Sequence, residues 1–179
     1  MIHAFIEEKD SIGAHERIKE IFFLSSHSGA SLAGVARKKF FDCWVGYYLD
    51  KIPEQTLLFK GRSGEIIGYL TGCLNSAAAS PLYRSCFYYR EFNAFYTEFP
   101  AHFHVNCDPE FRGRGIGRKL VETFVNRVKQ AGAPGAHLVT GKAARNRRFY
   151  ERLCFVERAT CQLNKSDLVL LGRDIGREW

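Results

Sequence analysis

The sequence predicts one α/β (α+β) domain built on a mixed sheet with helices on both faces. Three observations carry this. The 179 residues are 46% hydrophobic and 25% charged, enough for one buried core without disulfide or metal staples and too apolar for wholesale disorder. Segments of two-residue apolar period alternate along the chain with segments of helical period. Two pairs of β-rich segments, one internal and one near the end, are each joined by a short turn-forming loop and therefore read as antiparallel hairpins.

Ile2 to Glu7 alternates like a short strand, and Ile12, Ile18, Ile21 and Phe22 recur at helical spacing up to Leu24. A small-residue loop, Ser25 to Gly34, leads to a second helix marked by Phe40, Phe41, Trp44, Tyr47 and Tyr48 and stopped at Pro53. Thr56 to Lys60 and Glu65 to Cys73 pair around Gly61-Arg62-Ser63-Gly64, which supplies the positive φ a hairpin turn requires. A helical insertion at about 75–99 is dense in rings, among them Tyr83, Tyr88, Tyr89, Phe92, Phe95 and Tyr96. It is either an aromatic helix packed on the core or a lid and acceptor wall over a substrate pocket. His102 to Cys107 reads as a strand, Ile116 to Ala131 as a helix with Leu120, Phe124 and Val128 on one face, and Ala136 to Thr140 as a strand. Ala144 to Leu153 is helical, and Phe155 to Leu163 with Leu168 to Ile175 closes the chain as a hairpin around Asn164-Lys165-Ser166-Asp167. All of 1–179 is read as a single domain.

Composition excludes several functions. The longest apolar run, Ile66 to Leu74, is interrupted by glycine, threonine and cysteine and is far short of the roughly 20 residues of a membrane helix. The start, MIHAFIEEKD, carries acids where an export signal is basic, so a cytoplasmic protein is expected. Cysteines 43, 73, 86, 107, 154 and 161 form no C-x-x-C pair and no zinc-ribbon spacing. They read as buried free thiols in a reducing compartment, and no metal is expected. Lys plus Arg number 26 against 19 Asp plus Glu, a net charge of +7, which favours an anionic partner. The basic groups cluster around particular motifs and no nucleic-acid-reading module is present, so the anion is expected on a small molecule rather than on nucleic acid or a membrane.

Asp108-Pro-Glu-Phe-Arg112-Gly-Arg-Gly-Ile-Gly117 follows a strand and opens an amphipathic helix. In that context backbone N–H groups point into a concavity for phosphate, and the helix dipole adds positive potential. Gly113, Gly115 and Gly117 let a pyrophosphate approach the main chain, and Arg112, Arg114, Arg118 and Lys119 surround the same turn. A Rossmann fingerprint belongs after the first strand of a βαβ unit, whereas this turn lies late in the chain. The G-x-x-x-x-G-K-[ST] of a Walker A loop is missing.

Arg112-Gly-Arg-Gly115-Ile-Gly117 resembles the acyl-CoA-binding [QR]-x-x-G-x-[GA] motif of the GNAT N-acetyltransferase superfamily, and Arg148-Phe-Tyr150-Glu-Arg-Leu-Cys-Phe155 resembles its F-Y-E-K-L-G-F helix at the usual distance. The resemblance covers essentially the whole chain. It implies a mostly antiparallel twisted sheet and transfer from acetyl-CoA. Val105, Asn106 and Cys107 would bind the pantetheine arm, Arg112, Gly113, Arg114, Gly115, Ile116, Gly117 and Arg118 the pyrophosphate, and Tyr150 would lie near the thioester sulfur. Ala143 stands where the family has an asparagine, and Asn146 is the nearest asparagine to serve as that cofactor contact. Cys154 stands in place of the family's glycine and is read as a small core residue.

The chemistry sets further demands. An amine of pKa about 10.4 is only about one part in 2,500 neutral at pH 7, a deficit worth about 4.6 kcal/mol, so a base or a desolvating pocket must cover part of it. A departing thiolate benefits from an acid, and a tyrosine of pKa about 10 keeps its proton at neutral pH; Tyr150 fits. His102 and His104 alternate with Phe103 and Val105 and so share a sheet face. Each is either a satisfied buried histidine or the base, and the segment is similar to the paired-histidine strand of arylalkylamine acetyltransferases. His137 is read as structural. Arg145, Arg147, Arg148 and Arg152 are solvated or meet the adenosine 3′-phosphate. The acceptor is expected to be an amine on a small molecule, amino sugar or peptide, and the protein a monomer or homodimer. An acyl-CoA-binding domain without turnover, like the acetyltransferase-like domain of O-GlcNAc hydrolases, is the alternative.

Overall fold

Asp10 begins the first helix by accepting the Gly13 N–H on its side chain at 2.9 Å, a standard N-cap. The computed structural model describes residues 1–26, 29, 31–163 and 166–176. Helix α1 (Ser11–Ser25) buries Ala14, Ile18, Ile21 and Phe22, a stripe at spacings of three and four. Ile12, expected on that stripe, is 80% exposed. Before α1, strand β1 covers only Ile2–Ala4 and gives way to a 3-10 turn, Phe5–Glu7. The expected strand to Glu7 is cut short because the Glu7 carboxylate reaches back to accept the Ala4 N–H at 3.2 Å.

The chain forms two compact units, each drawing on two stretches of sequence. The first comprises Met1–Cys73 and His104–Phe124. Its strands follow the order β1, β2 (Leu57–Lys60), β3 (Ile66–Cys73), then the second half of β4 (Ala101–Cys107). β1 and β2 pair antiparallel, as do β2 and β3, with Leu57 opposite Leu70 and a bulge between Phe59 and Lys60. Every residue of β3 is buried, because α1 and α3 (Tyr47–Lys51) pack against it. The expected second helix is a continuous run: α2 (Gly34–Phe41), a π-helical turn over Asp42–Gly46, then α3. Within the expected small-residue loop, positions 27, 28 and 30 lie outside the described residues. Phe5, Ile18, Phe22, Phe41, Leu58 and Tyr69 belong to this unit's core.

The second unit comprises Leu74–Phe103 and Val125–Trp179. Its strands follow the order β4, β5 (Gly135–Gly141), β7 (Ser166–Asp174), β6 (Val156–Leu163). β4 and β5 run parallel, with Ala101 opposite Ala136; β5–β7 and β6–β7 are antiparallel. The closing hairpin is present, although Asn164 and Lys165 of its turn lie outside the described residues. The aromatic segment is not one helix. It holds a 3-10 turn at Ser76–Ala78, the short α4 (Leu82–Ser85) and another 3-10 turn at Asn93–Phe95. Tyr88, Tyr89, Phe92, Tyr96 and Phe99 are at most 6% exposed, so these rings are core, while Phe87 is 48% exposed.

Helix α5 (Ile116–Gln130) runs as expected and buries Ile116, Leu120, Val121, Phe124, Val125 and Val128. The expected helix Ala144 to Leu153 shrinks to α6 (Arg147–Glu151), because the residues before it turn through three-residue bonds, Ala144 N–H to Gly141 O and Arg147 N–H to Ala144 O. Two further expectations are corrected. The free thiols are Cys73, Cys107, Cys154 and Cys161 rather than all six cysteines; spacing rules detect only sulfurs close in sequence. Cys154 is exposed rather than core, and among the described residues it is the non-glycine residue with a positive φ, 63°. Its N–H bonds Glu151 O at 3.0 Å and the Phe155 N–H bonds Tyr150 O at 3.1 Å, so it occupies the left-handed position of a Schellman motif and must point outward. Among the described residues no helix is long and apolar enough to cross a membrane.

Candidate active site

In the first unit, β4 delivers Cys107 and Asp108 to the glycine-rich turn. The Asp108 N–H bonds Ile67 O of β3 at 3.0 Å, and its carboxylate accepts the Glu110 N–H at 2.9 Å, capping a 3-10 turn over Pro109–Phe111. The other carboxylate oxygen is in a close ion pair with Arg17 of α1. Arg17 also donates from Nε to Ile66 O at 3.1 Å. Gly113 and Gly115 then take φ of +76° and +77°, in the left-handed region, and α5 opens at Ile116. A Cβ built on either glycine would meet nothing within 4 Å, so open space lies against the main chain at both positions. The first-turn N–H groups of a helix lack intrahelical acceptors, and here they lie beside that space. The Arg112 Nη2 donates to the Ser25 hydroxyl at 3.0 Å, and the Arg114 guanidinium lies 5.1 Å from the Phe111 ring centroid. Arg118 is held by Glu122 at 2.7 Å. Backbone donors, arginines and room converge, which fits a pyrophosphate.

Burial raises the Cys107 thiol to about 11, against the smaller opposing pull of Arg112 and the Gly117 N–H. The thiol is protonated at neutral pH and is no nucleophile. Val105 and Asn106 precede it, half-buried. The Asn106 amide donates to His104 Nε2 at 2.9 Å and to the Tyr69 hydroxyl at 3.0 Å. The His104 ring lies 5.2 Å from Trp44 and 5.9 Å from Phe22. Burial lowers His104 to about 4 and raises the Tyr69 hydroxyl, so both groups are neutral at pH 7. Thr71 of β3 donates to the Trp44 carbonyl at 3.1 Å, satisfying an acceptor in the π-helical turn, where such bulges re-aim side chains.

In the second unit, His102 is 4% exposed. The Ser76 hydroxyl donates to Pro100 O at 2.7 Å and stands 2.7 Å from His102 Nδ1; with its proton used, it accepts the Nδ1–H. The Tyr89 hydroxyl donates to Ser76 O at 3.0 Å and the Tyr96 hydroxyl to Tyr89 O at 2.8 Å. His137 donates to Phe99 O at 2.7 Å and stacks on Tyr96. Burial, and secondarily the neighbouring His137, lowers His102, and burial lowers His137 to about 4. Tyr150 of α6 is 6% exposed and packs near Phe103, Phe149 and Phe155. Asn146 precedes α6 and accepts from the Thr140 hydroxyl at 3.2 Å. Arg147 is tied to Glu157 at 3.0 Å, while Arg145, Arg148 and Arg152 are exposed.

β4 thus sorts its two histidines into different neighbourhoods. Several participants had no sequence signal: Arg17 and Tyr69 read only as helix and strand residues, and Ser25, expected to open a loop, instead ends α1. Gly68 had one, a glycine inside a strand. A Cβ there would come within 2.9 Å of Ile116 Cγ2 and 3.3 Å of Asn106 O, so its absence lets the start of α5 settle on β3.

A family model described as the acetyltransferase (GNAT) family matches residues 22–155. The crystal structure of SsHAT superposes with a TM-score of 0.76 at 21% identity, covering 99% of this chain and 98% of that one. An aminoglycoside 6′-N-acetyltransferase complexed with coenzyme A gives 0.69 at 11% identity, covering 99% and 98%. Chaetomium thermophilum Naa20 in complex with a bisubstrate analogue gives 0.64 at 19%, covering 97% and 86%. At these identities the structural likeness is one of fold.

Proposed function

The chain belongs to the acetyltransferase (GNAT) family, and we propose that it moves an acetyl group from acetyl-CoA to a primary amine of a small molecule, amino sugar or peptide. The family's cofactor, acetyl-CoA, supplies the activated acyl group and a thiolate leaving group. The observation that carries the reading is the turn at Arg112 to Gly117, where left-handed glycines, open space and arginines coincide at the start of a 15-residue helix. Gly113, Gly115 and Ile116 would hold the pyrophosphate through main-chain N–H groups, Gly117, whose N–H meets the Cys107 thiol, would leave room for its approach, and Arg112, Arg114 and Arg118 would act through charge. Val105, Asn106 and Cys107 would meet the pantetheine arm through their backbone, since the Asn106 side chain is committed to His104 and Tyr69. Asn146 would contribute a further contact.

His104 is assigned as the base. It is neutral at pH 7, half-buried, and surrounded by rings that favour an uncharged amine. For Nε2 to take a proton, Asn106 turns its amide so that Oδ1 faces the ring and accepts from the resulting imidazolium. His102 is given a structural role, since its Nδ1 is spent on Ser76 in a closed core network. Tyr150 is assigned as the acid that protonates the leaving thiolate. Its ring is fixed by Phe103 and Phe155, and an ordinary phenol holds its proton at neutral pH.

The test is CoA release from acetyl-CoA with a panel of amines, repeated with Tyr150→Phe. The variant should lose about tenfold to hundredfold in kcat with acetyl-CoA KM nearly unchanged. Equal turnover by both proteins would remove Tyr150 from the mechanism. Binding of acetyl-CoA with no release for any amine would favour the non-catalytic reading, for which Ala143 in place of the motif asparagine is the supporting observation.

A further inference from the structure

The last turn of α1 meets the glycine-rich turn through the Ser25 hydroxyl. The Ser25 Oγ–H donates to Cys107 O at 3.3 Å, and the same oxygen accepts from Arg112 Nη2 at 3.0 Å. The proton count closes: one hydroxyl has one donor and two acceptor sites, so the two bonds do not compete. Eight residues earlier on the same helix, Arg17 grips Asp108 and Ile66 O. The segment from Cys107 to Arg112 is therefore tied to α1 at both ends.

We propose that Ser25 is a positioning residue for acetyl-CoA, holding the Arg112 guanidinium in the orientation that receives the pyrophosphate. The inference rests on the pyrophosphate reading of the turn. Arg112 is exposed, and a free arginine side chain loses substantial rotamer entropy when it captures a phosphate. A neighbour that fixes the guanidinium beforehand removes part of that loss. The chemistry of the neighbour matters. A carboxylate in place of Ser25 would neutralise Arg112 and compete with the phosphate. A hydroxyl accepts one N–H, adds no charge and leaves the other N–H groups of the guanidinium for the ligand. Ser25 makes no use of its own proton toward the ligand, since Cys107 O holds it.

The test is a double-mutant cycle on coenzyme A binding, measured by titration calorimetry on the full chain, with Ser25→Ala, Arg112→Ala and the double variant. Ser25→Ala should weaken coenzyme A by about three- to tenfold, the range of one hydrogen bond. Its effect should vanish in the Arg112→Ala background. Ser25→Thr, which keeps the hydroxyl, should bind within about twofold of the parent, and Ser25→Asp should lose more than Ser25→Ala. If Ser25→Ala binds normally, or loses the same factor with and without Arg112, the positioning role is overturned while the pyrophosphate reading stands. If Arg112→Ala binds coenzyme A as the parent does, that reading falls and the Ser25 role falls with it. Thermal melts of each variant identify loss of fold, and the Ser25→Thr arm decides the question should Ser25→Ala not fold.

Discussion

The two ends of β4 belong to different worlds, although one strand alternation generates both. Its first residues, Ala101 to Phe103, place His102 in a core where Ser76, Tyr89, Tyr96 and His137 exchange hydrogen bonds and ring contacts with one another and with main-chain carbonyls. Its last residues, His104 to Cys107, are half-buried and lead directly into the glycine turn. At the first end polar groups are spent on holding the fold. At the second they meet one another through a single reorientable amide, Asn106. Two histidines two residues apart on the same face therefore stand in different surroundings according to what closes around each.

The largest expected effect breaks the buried end. His137 titrates near 4 and His102 is lowered well below 6.5 by burial, whereas both return to about 6.5 when unfolded. Their neutral forms are required by the fold, so the stability they permit is complete above pH 6.5. As pH falls from 6.5 toward 4 the unfolded chain takes up protons first and stability is lost, by about 3 kcal/mol for His137 alone. Denaturant unfolding at stepped pH should show this slope, and His137→Gln should flatten it. A level profile between pH 6.5 and 4.5 would contradict the closed network.

The next effect belongs to the open end. Gly115→Asp places a carboxylate where the turn presents donors and asks a non-glycine residue to hold φ +77°. It should cost about 10³-fold in acetyl-CoA affinity from like-charge repulsion, with only about 1–2 kcal/mol in stability from backbone strain. Unchanged affinity in a folded variant would remove the turn from the cofactor site. His104→Gln sharpens the contrast between the histidines. It should lower kcat/KM by roughly 10²-fold and remove an acidic limb near pH 4, while leaving the acid-unfolding slope of the buried network in place. Full activity with the limb intact would return His104 to a packing role.

The smallest effect concerns Cys154. Helix α5 ends with Gly132 at φ +70°, its N–H bonded to Lys129 O and the Ala133 N–H to Val128 O. That is the Schellman pattern that ends α6, where Cys154 holds φ 63°. Nothing in the cysteine's exposed side chain offsets the left-handed penalty, so Cys154→Gly should stabilise the protein by about 1 kcal/mol, read as a small rise in unfolding midpoint. Destabilisation would mean that the thiol has a partner.

The sequence by itself determined the order of elements, both hairpins, the helix α5 and the glycine turn, because each is written in local terms: alternation, helical period, or glycines where φ must be positive. The motif pair at Arg112 to Gly117 and Arg148 to Phe155 also pointed to the family on its own. Sequence alone left open which histidine closes into the core, and it read the aromatic segment as helical and Cys154 as buried. It gave no sign that Arg17 and Ser25 brace the turn from α1. Those outcomes depend on which side chains meet across long stretches of chain. A hydroxyl at Ser25 becomes a clamp only when folding brings Cys107 O and Arg112 to it. His102 is closed into the core only when Ser76 and His137 surround it. Local periodicity fixes the face on which a residue stands; the energy of burying and pairing its polar atoms is set by its tertiary neighbours.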